Sequence, residues 1–333
     1  MKKSYIVLFV IILVPCLFML WNNRGVTSKI EDNIVFNQRL SEYGIYQGKI
    51  SELTPCDEAI IIDISSPLFT DYAEKQRIIL LPKGEKIKAN GRGLPDFPDG
   101  TIIAKTFFYP ERIIGASTAK YILETRLLIK SKSQWNATTY KWNDTQDEAY
   151  LLQDGATVPI AFVDEKGKNR TIGYKIPSRA DCISCHRQND KILPIGPKLR
   201  NINIDVNREQ QVVNQLEYLK QKGKLEITSN EQVAPITNYR DELQPIENRA
   251  RAYLDINCAH CHNPNGIAYY TQLDLRDETP LNQTEIWLKQ GKIATRMSML
   301  GELHMPKVGT TIIHDEGLQL VVDYIKNLSK KGK

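Results

Sequence analysis

Histidine and methionine are scarce in this chain of 333 residues, which contains five of each, and cysteine is scarce too, with six. No histidine precedes His186, so the first half lacks the side chain that most often serves as general base or metal ligand. The chain also lacks a large excess of one charge: the formal net charge is only +5, and neither half is basic enough to indicate a nucleic-acid partner. The placement of the cysteines is more informative, because four of the six fall in two short motifs.

The N-terminal segment, residues 1–24, predicts export. Lys2 and Lys3 precede an apolar run of 17 residues from Tyr5 to Trp21, which as a helix spans about 25 Å. Two interpretations compete: a cleaved secretory signal, or an uncleaved membrane anchor. A cleavage site needs small residues, whereas the first alanine of the chain is Ala59, which favours the anchor. Both interpretations place the rest of the chain in the periplasm, and the anchor attaches it to the cytoplasmic membrane.

Residues 25–176 have the pattern of a β-rich domain. Short apolar runs alternate with turn sequences such as Pro98-Asp99-Gly100. Between Tyr121 and Lys130, apolar residues alternate with Glu124 and Arg126, which predicts a strand with one solvent-facing side. A sandwich or small barrel follows from this pattern.

After Pro177 the pattern changes to helices and loops, in a first segment (177–245) and a second domain (246–333). Apolar residues at helical spacing predict helices over 207–219, 246–257 and 315–328. The expected fold class is therefore α+β: a β-rich sandwich- or barrel-like domain followed by a mainly α-helical region.

The two motifs are Cys182-Ile183-Ser184-Cys185-His186 and Cys258-Ala259-His260-Cys261-His262. Both are C-x-x-C-H, the attachment signature of haem c. Two thiols three positions apart add to the two vinyl groups of one porphyrin, and the adjacent histidine then reaches the iron. The sequence thus predicts two covalently bound haem c groups, with His186 and His262 as proximal iron ligands.

Two other uses of the cysteines compete with haem attachment. A joint Cys₄ zinc site is the stronger, but 72 residues separate Cys185 from Cys258, where zinc ribbons use about 15–20. A thioredoxin-like redox motif needs a neighbouring βαβ pattern, which neither pair has.

The sequence offers a clear distal ligand for the second iron but not for the first. Met305, followed by Pro306, is the predicted distal ligand of the second iron. Neither methionine nor a further histidine lies between the motifs, so the first iron uses a weaker donor, stays open, or takes a ligand from the C-terminal segment. Met297 is the first candidate there; Met299, His304 and His314 are the others.

Each proximal histidine also needs an acceptor for its second ring nitrogen. The sequences Gly196-Pro197 and Pro264-Asn265-Gly266 are the predicted sources of a carbonyl. His260, between two motif cysteines, is expected to face solvent.

With these motifs the chain resembles a family of exported bacterial di-haem c-type cytochromes, over about residues 40–328. The resemblance implies a β-rich N-terminal region joined to a haem-bearing C-terminal region, and Gly196 to Leu199 resembles a loop of class I cytochromes c. The matching stretches outside the motifs are 65–73, 97–101, 105–107, 123–128, 140–144, 193–198 and 253–257.

Three functions remain open from the sequence. The first is single-electron transfer between redox protein partners in the periplasm. The second is a haem enzyme, peroxidase-like or binding a small ligand, with an open first haem and the second haem as electron relay. In the third, the β-rich region binds a partner or a small molecule, and the haems serve it.

Overall fold

Strands with alternating apolar residues build one antiparallel sheet from the first half of the chain. The computed structural model describes residues 33–89, 91–110, 120–164, 167–228 and 232–331. The predicted N-terminal anchor or signal, residues 1–24, lies outside the described residues. None of the helices within those ranges combines the length and apolarity that a membrane crossing requires.

The main sheet has six strands in the order β1-β2-β4-β5-β6-β7, with every neighbouring pair antiparallel. A β-bulge interrupts the β4–β5 pairing at Phe107 and Phe108. The strands are β1 (Ile60–Ile61), β2 (Glu74–Leu80), β4 (Ile102–Pro110), β5 (Lys120–Ser131), β6 (Gln134–Trp142) and β7 (Ala149–Leu152).

Each face of this sheet is covered by a different part of the chain. On one face, Leu40, Ile45 and Leu53 of the preceding segment pack against Ile78 and Tyr140. On the other, the hairpin of β8 (Ala156–Val163) and β9 (Asn169–Ile176) packs its apolar side chains against Phe107 and Tyr109. The hairpin covers only part of that second face, and the first cysteine motif lies beside it.

The rest of the chain mixes short strands, helices and long irregular segments. The strands are β3 (Ile87–Ala89), β10 (Arg187–Gln188), β11 (Lys191–Ile192), β12 (Asp205–Arg208), β13 (Gln211–Asn214) and β14 (Leu225–Ile227). The helices are α1 (Arg179–His186), α2 (Leu199–Ile202), α3 (Gln215–Gln221), α4 (Ile246–Asn257), α5 (Ile286–Ser298) and α6 (Asp315–Lys331). Helices α4, α5 and α6 share one apolar cluster that includes Leu254, Ile286 and Val321.

The predicted fold class is wrong. The described chain is β-rich around a six-stranded antiparallel sheet, its six helices lie mostly in the C-terminal third, and it has no mainly α-helical cytochrome region. Strand β14 pairs in parallel with β3, so the later segment completes a sheet with the earlier one. The described residues beyond residue 32 belong to one compact unit.

The individual helix predictions explain part of this error. The helices over 246–257 and 315–328 are confirmed as α4 and α6. The helix over 207–219 is wrong, because Val212 and Val213 lie in β13, where β-branched side chains are favoured. The helix begins only after Asn214, whose side chain accepts hydrogen bonds from the Leu216 and Glu217 amides.

Candidate site at the two cysteine motifs

Helix α1 carries the first motif and lies on the main sheet. It begins at a capping box, in which the Ser178 hydroxyl accepts from the Asp181 amide at 3.1 Å and the Asp181 carboxylate accepts from the Ser178 amide at 3.0 Å. One turn later Cys182 is buried, with its sulfur 3.4 Å from the Thr139 hydroxyl of β6. The cap and this contact fix the position of the motif on the sheet.

The second motif follows helix α4 directly. The amides of Cys261 and His262 both donate to the Cys258 carbonyl, at 3.1 and 2.9 Å, which folds the motif into a helical turn. Gly266 closes the following loop so tightly that a Cβ there would collide with the Cys261 carbonyl oxygen. A side chain at residue 266 would therefore displace the motif.

The two motifs are in direct contact although 71 residues separate them in sequence. The thiols of Cys185 and Cys261 lie close enough to shift each other's pKa in opposite directions. The Gln188 side chain donates to the His260 carbonyl at 2.6 Å, and the Asn189 amide donates to the Asn265 carbonyl at 2.7 Å. Any group held by one motif therefore lies next to a group held by the other.

Both proximal-histidine candidates are held through Nδ1. Nδ1 of His186 lies 2.7 Å from the Leu193 carbonyl oxygen, which only accepts, so the ring nitrogen donates. Nδ1 of His262 lies 3.0 Å from the Thr271 hydroxyl oxygen. That hydroxyl donates its own proton to the Ala268 carbonyl at 2.6 Å, so it accepts from the ring.

This tautomer leaves a lone pair on Nε2 of each ring, and neither Nε2 hydrogen bonds to any described residue. The predicted acceptors at Gly196-Pro197 and Pro264-Asn265-Gly266 are wrong in identity, because Leu193 and Thr271 take that position. Leu193 lies three residues before Gly196, so the sequence indicated the right region for the first acceptor. Nothing in the sequence indicated the second acceptor, the Thr271 hydroxyl nine residues after His262.

Burial keeps both rings neutral. It lowers the pKa of His186 to about 3, and the nearby positive charges of Lys105 and Arg126 act in the same direction. It lowers the pKa of His262 to about 4, with further lowering by His260 and Arg296. Neutral imidazoles with a lone pair on Nε2 are the form that binds a metal ion.

Three of the four motif cysteines have a raised pKa, which favours the thiol form. Burial raises the pKa of Cys258 to about 12 and also raises the pKa of Cys182. The interaction between Cys185 and Cys261 raises the pKa of the first and lowers that of the second. None of the five described cysteines forms a disulfide, and thiols, rather than thiolates or disulfides, are what addition to a vinyl group consumes.

The described residues contain no ready-made zinc site. In the described ranges, three or more His, Cys, Asp or Glu side chains nowhere group together as a metal site, whereas a tetrahedral zinc needs four such ligands. A haem iron needs only one axial histidine from each motif, and His186 and His262 stay the predicted proximal ligands.

The distal-ligand candidates lie mostly with the second motif. The Met305 amide donates to the Arg296 carbonyl at 3.0 Å, and the charge of Arg296 reaches His262. Met297 is buried in the apolar cluster that includes Ala259 of the second motif, while Met299 is 38% exposed. Met305 as distal ligand of the second iron and Met297 as that of the first stay predictions.

The two remaining histidine candidates have occupied ring nitrogens. In His304, Nδ1 lies 2.7 Å from the Met299 carbonyl oxygen and Nε2 lies 3.1 Å from the Thr310 hydroxyl. His314 stacks on Phe69 and its Nδ1 lies 3.1 Å from the Tyr253 hydroxyl. Ligation through Nε2 would break the Thr310 contact of His304. In His314 it would instead displace the Glu316 carboxylate, which lies 3.7 Å from Nε2.

His260 does not simply face solvent as expected. Its ring lies near enough to Cys185 of the first motif to lower the pKa of that thiol, its carbonyl accepts from Gln188, and its Nδ1 is buried without a hydrogen-bond partner among the described residues. It is therefore part of the contact between the motifs.

The sequence interpretation missed a set of charged side chains on the main sheet. The side of the strand that carries Glu124 and Arg126 was expected to face solvent, but the Glu124 side chain is fully buried and that of Arg126 is only 18% exposed. Glu124 accepts from Arg126 Nε at 2.9 Å and from the Tyr174 hydroxyl at 2.7 Å. The alternation of charge was visible in the sequence, but it did not show that α1 and the β8–β9 hairpin cover this side.

No family model, curated protein or solved structure matches the chain. The resemblance to exported di-haem cytochromes stays a prediction.

Proposed function

We propose that this chain is a di-haem c-type cytochrome that transfers single electrons in the periplasm. Cys182 and Cys185 hold one haem through thioethers, and Cys258 and Cys261 hold the other. The observation that carries this proposal is the pair of touching motifs, each with a neutral histidine anchored through Nδ1. When bound, haem supplies an iron that gains and loses one electron.

The chain's own residues set the conditions for this chemistry. The acceptors on Leu193 and Thr271 hold the rings of His186 and His262 and increase the basicity of Nε2, as outer partners of metal-bound histidines do. Hydrogen bonds from the Gln188 side chain to the His260 carbonyl and from the Asn189 amide to the Asn265 carbonyl keep the two attachment points together, and neither uses a cysteine proton. Because the rate of electron tunnelling falls steeply with distance, this arrangement favours exchange between the two irons.

Redox protein partners are proposed to dock near the second motif. Apolar side chains are exposed in the segments just after His262 and just before Met305, and an exposed apolar surface is typical of an interaction site. They include Tyr269 (64%), Tyr270 (74%), Leu300 (56%) and Leu303 (52%). The proposed anchor in residues 1–24 ties this exchange to the cytoplasmic membrane.

Paired cysteine substitutions test haem attachment. The exported protein is run on a denaturing gel stained for haem, after Cys182 and Cys185, or Cys258 and Cys261, are changed to serine. Each pair should remove one of the two haems, and all four changes should remove the stain. Cys56→Ser is the matched control, because Cys56 lies in neither motif, and it should retain both haems. Full stain in the fourfold variant would contradict the proposal.

A second candidate function is small-ligand or peroxidase-like chemistry at the first haem. It is favoured by the positions of Met297, His304 and His314, all of which have other partners. Carbon monoxide added to the reduced protein separates the two functions. A shifted absorption band would indicate an open iron, and unchanged bands at both haems would indicate electron transfer alone.

A further inference from the structure

The sheet surface beside the first motif carries a row of positive side chains. Arg77 of β2 lies directly opposite Lys105 of β4, and Lys105 lies directly opposite Arg126 of β5. The next residue across the sheet is Thr139 of β6, whose hydroxyl is 3.4 Å from the sulfur of Cys182. The row therefore ends at the first cysteine of the motif.

The negative charge on this surface does not balance the row. Glu124 pairs with Arg126, but neither Lys105 nor Arg77 forms an ion pair with a described carboxylate. The negative charge of Asp63 raises the pKa of Arg77, but Asp63 is itself paired with Arg208, at 2.6 Å. Like charges directly opposite each other destabilise a sheet. An anion bound beside the row would stabilise it.

A fourth cation strengthens this imbalance. Lys75 lies two residues before Arg77 on the same side of β2, and within the described ranges its ammonium donates a hydrogen bond only to the Ala73 carbonyl, at 2.9 Å. Burial and the neighbouring cations lower the pKa of Lys75 well below its usual value and that of Lys105 to about 7. These shifts have the direction expected where positive charges crowd together without a counter-charge.

The row lies beside the helix that carries the first motif. Thr139, the neighbour of Arg126 across the sheet, contacts Cys182, and His186 ends the same helix. A haem attached at this motif brings two propionate carboxylates, which are the anions that a mixed arginine and lysine row binds well.

We propose that Arg77, Lys105 and Arg126 bind the propionate carboxylates of the haem attached to Cys182 and Cys185. This inference rests on the proposed function, since it needs that haem. Arginine supplies paired N–H donors in a planar fork, and lysine supplies a mobile point charge between the two arginines. Glu124 binds Arg126 through both Nε and Nη2, so Arg126 has Nη1 to offer to a propionate.

The test uses the full exported protein with both haems attached, as the haem-stained gel establishes first. Lys105→Gln and, separately, Arg77→Gln remove one positive charge each. Lys105→Arg keeps the charge, and Lys175→Gln removes a charge from an exposed position on β9. The midpoint potentials of the two haems and the propionate bands in the resonance Raman spectrum are measured for each variant.

Lys105→Gln and Arg77→Gln should each lower one of the two potentials, because a lost cation stabilises the oxidised iron. The expected change is roughly tenfold in the one-electron equilibrium of that haem, with shifted propionate bands. Lys105→Arg and Lys175→Gln should resemble the unaltered protein. Two stained haems with unchanged propionate bands in both glutamine variants would overturn this inference while leaving the proposed function intact. A spectrum showing a changed axial ligand in Lys105→Gln would also overturn it, because Lys105 would then bind iron.

Discussion

Thr271 acts on His262 through a single hydrogen bond. Its hydroxyl accepts from Nδ1 of the ring while donating to the Ala268 carbonyl. An acceptor in this position makes the opposite nitrogen a stronger donor to a metal. The two motif histidines can therefore be tuned separately, one by a backbone carbonyl and the other by this side chain.

Thr271→Val removes this acceptor with little change in shape. We expect the midpoint potential of one haem to rise by roughly 60 mV, a tenfold change in its equilibrium, because His262 donates less to the iron. The potential of the other haem should stay constant. Thr295→Val, at an exposed position of α5, is the control. Equal potentials in the Thr271 variant and the unaltered protein would show that this hydrogen bond does not act on the iron.

Glu124 is the carboxylate that pairs with the buried Arg126 of the sheet surface. Its neutralisation in Glu124→Gln leaves Arg126 buried without its partner. We expect the free energy of unfolding in denaturant to fall by about 3 kcal/mol, since breaking a buried ion pair from one side costs that much. Glu74→Gln, at an exposed position of β2, should change it by less than about 0.5 kcal/mol. A similar small effect for both variants would refute the role given to Glu124.

At the scale of elements, helix α1 depends on its cap. It has only eight residues, too few to be stable alone, and it positions three of the proposed haem-binding residues. The Ser178–Asp181 capping box and the contact of Cys182 with Thr139 hold it on the sheet.

Ser178→Ala should therefore lower the free energy of unfolding by about 1 kcal/mol, because the Asp181 amide loses its acceptor. Ser178→Thr keeps a capping hydroxyl and should be close to the unaltered protein. Chemical denaturation of both variants measures the difference. If alanine and threonine are equally tolerated, the cap does not contribute to the helix.

Sequence periodicity predicted some elements well and others poorly, for physical reasons. Helix α4 was predictable because Ala250, Tyr253 and Leu254 form one buried stripe. The region 207–219 was not, because an apolar pattern fits both helix and strand over a short stretch, and β-branched Val212 and Val213 prefer the strand. The buried side of β5 was predicted to face solvent because charged side chains are normally exposed. Helix α1 and the β8–β9 hairpin bury it, and the sequence of β5 does not show that they pack there.

The candidate site, like the fold, was predictable from the sequence only in part. The motif cysteines and histidines were identifiable from spacing alone, since C-x-x-C-H is a local pattern. The contact between Cys185 and Cys261, the acceptor on Thr271 and the row with Lys105 were not. They depend on contacts between elements far apart in sequence, which no local pattern encodes.

At the scale of the whole molecule, an aromatic cluster joins distant segments. His314, before α6, stacks on Phe69 with ring centroids 4.0 Å apart and meets the Tyr253 hydroxyl of α4. Phe69 precedes the main-sheet strand β2. The cluster thus ties the start of the sheet to the C-terminal helices.

This cluster makes stability depend on pH. Burial lowers the pKa of His314 to about 4 from the usual 6.5. Between these values the unfolded chain binds a proton that the folded protein does not, so stability falls as the pH falls through that range. We expect the free energy of unfolding to decrease by up to about 1.4 kcal/mol per pH unit more in the unaltered protein than in His314→Phe. Parallel pH profiles for the two proteins would contradict this assignment.

The account as a whole depends on two haem groups joined to the chain through four cysteine sulfurs. The intact mass of the full exported protein tests this most directly, supported by its absorption spectrum in alkaline pyridine. The predicted mass is that of the chain plus two haems, with one fewer for each motif whose cysteines are changed to serine. A colourless protein with the mass of the bare chain would contradict the account.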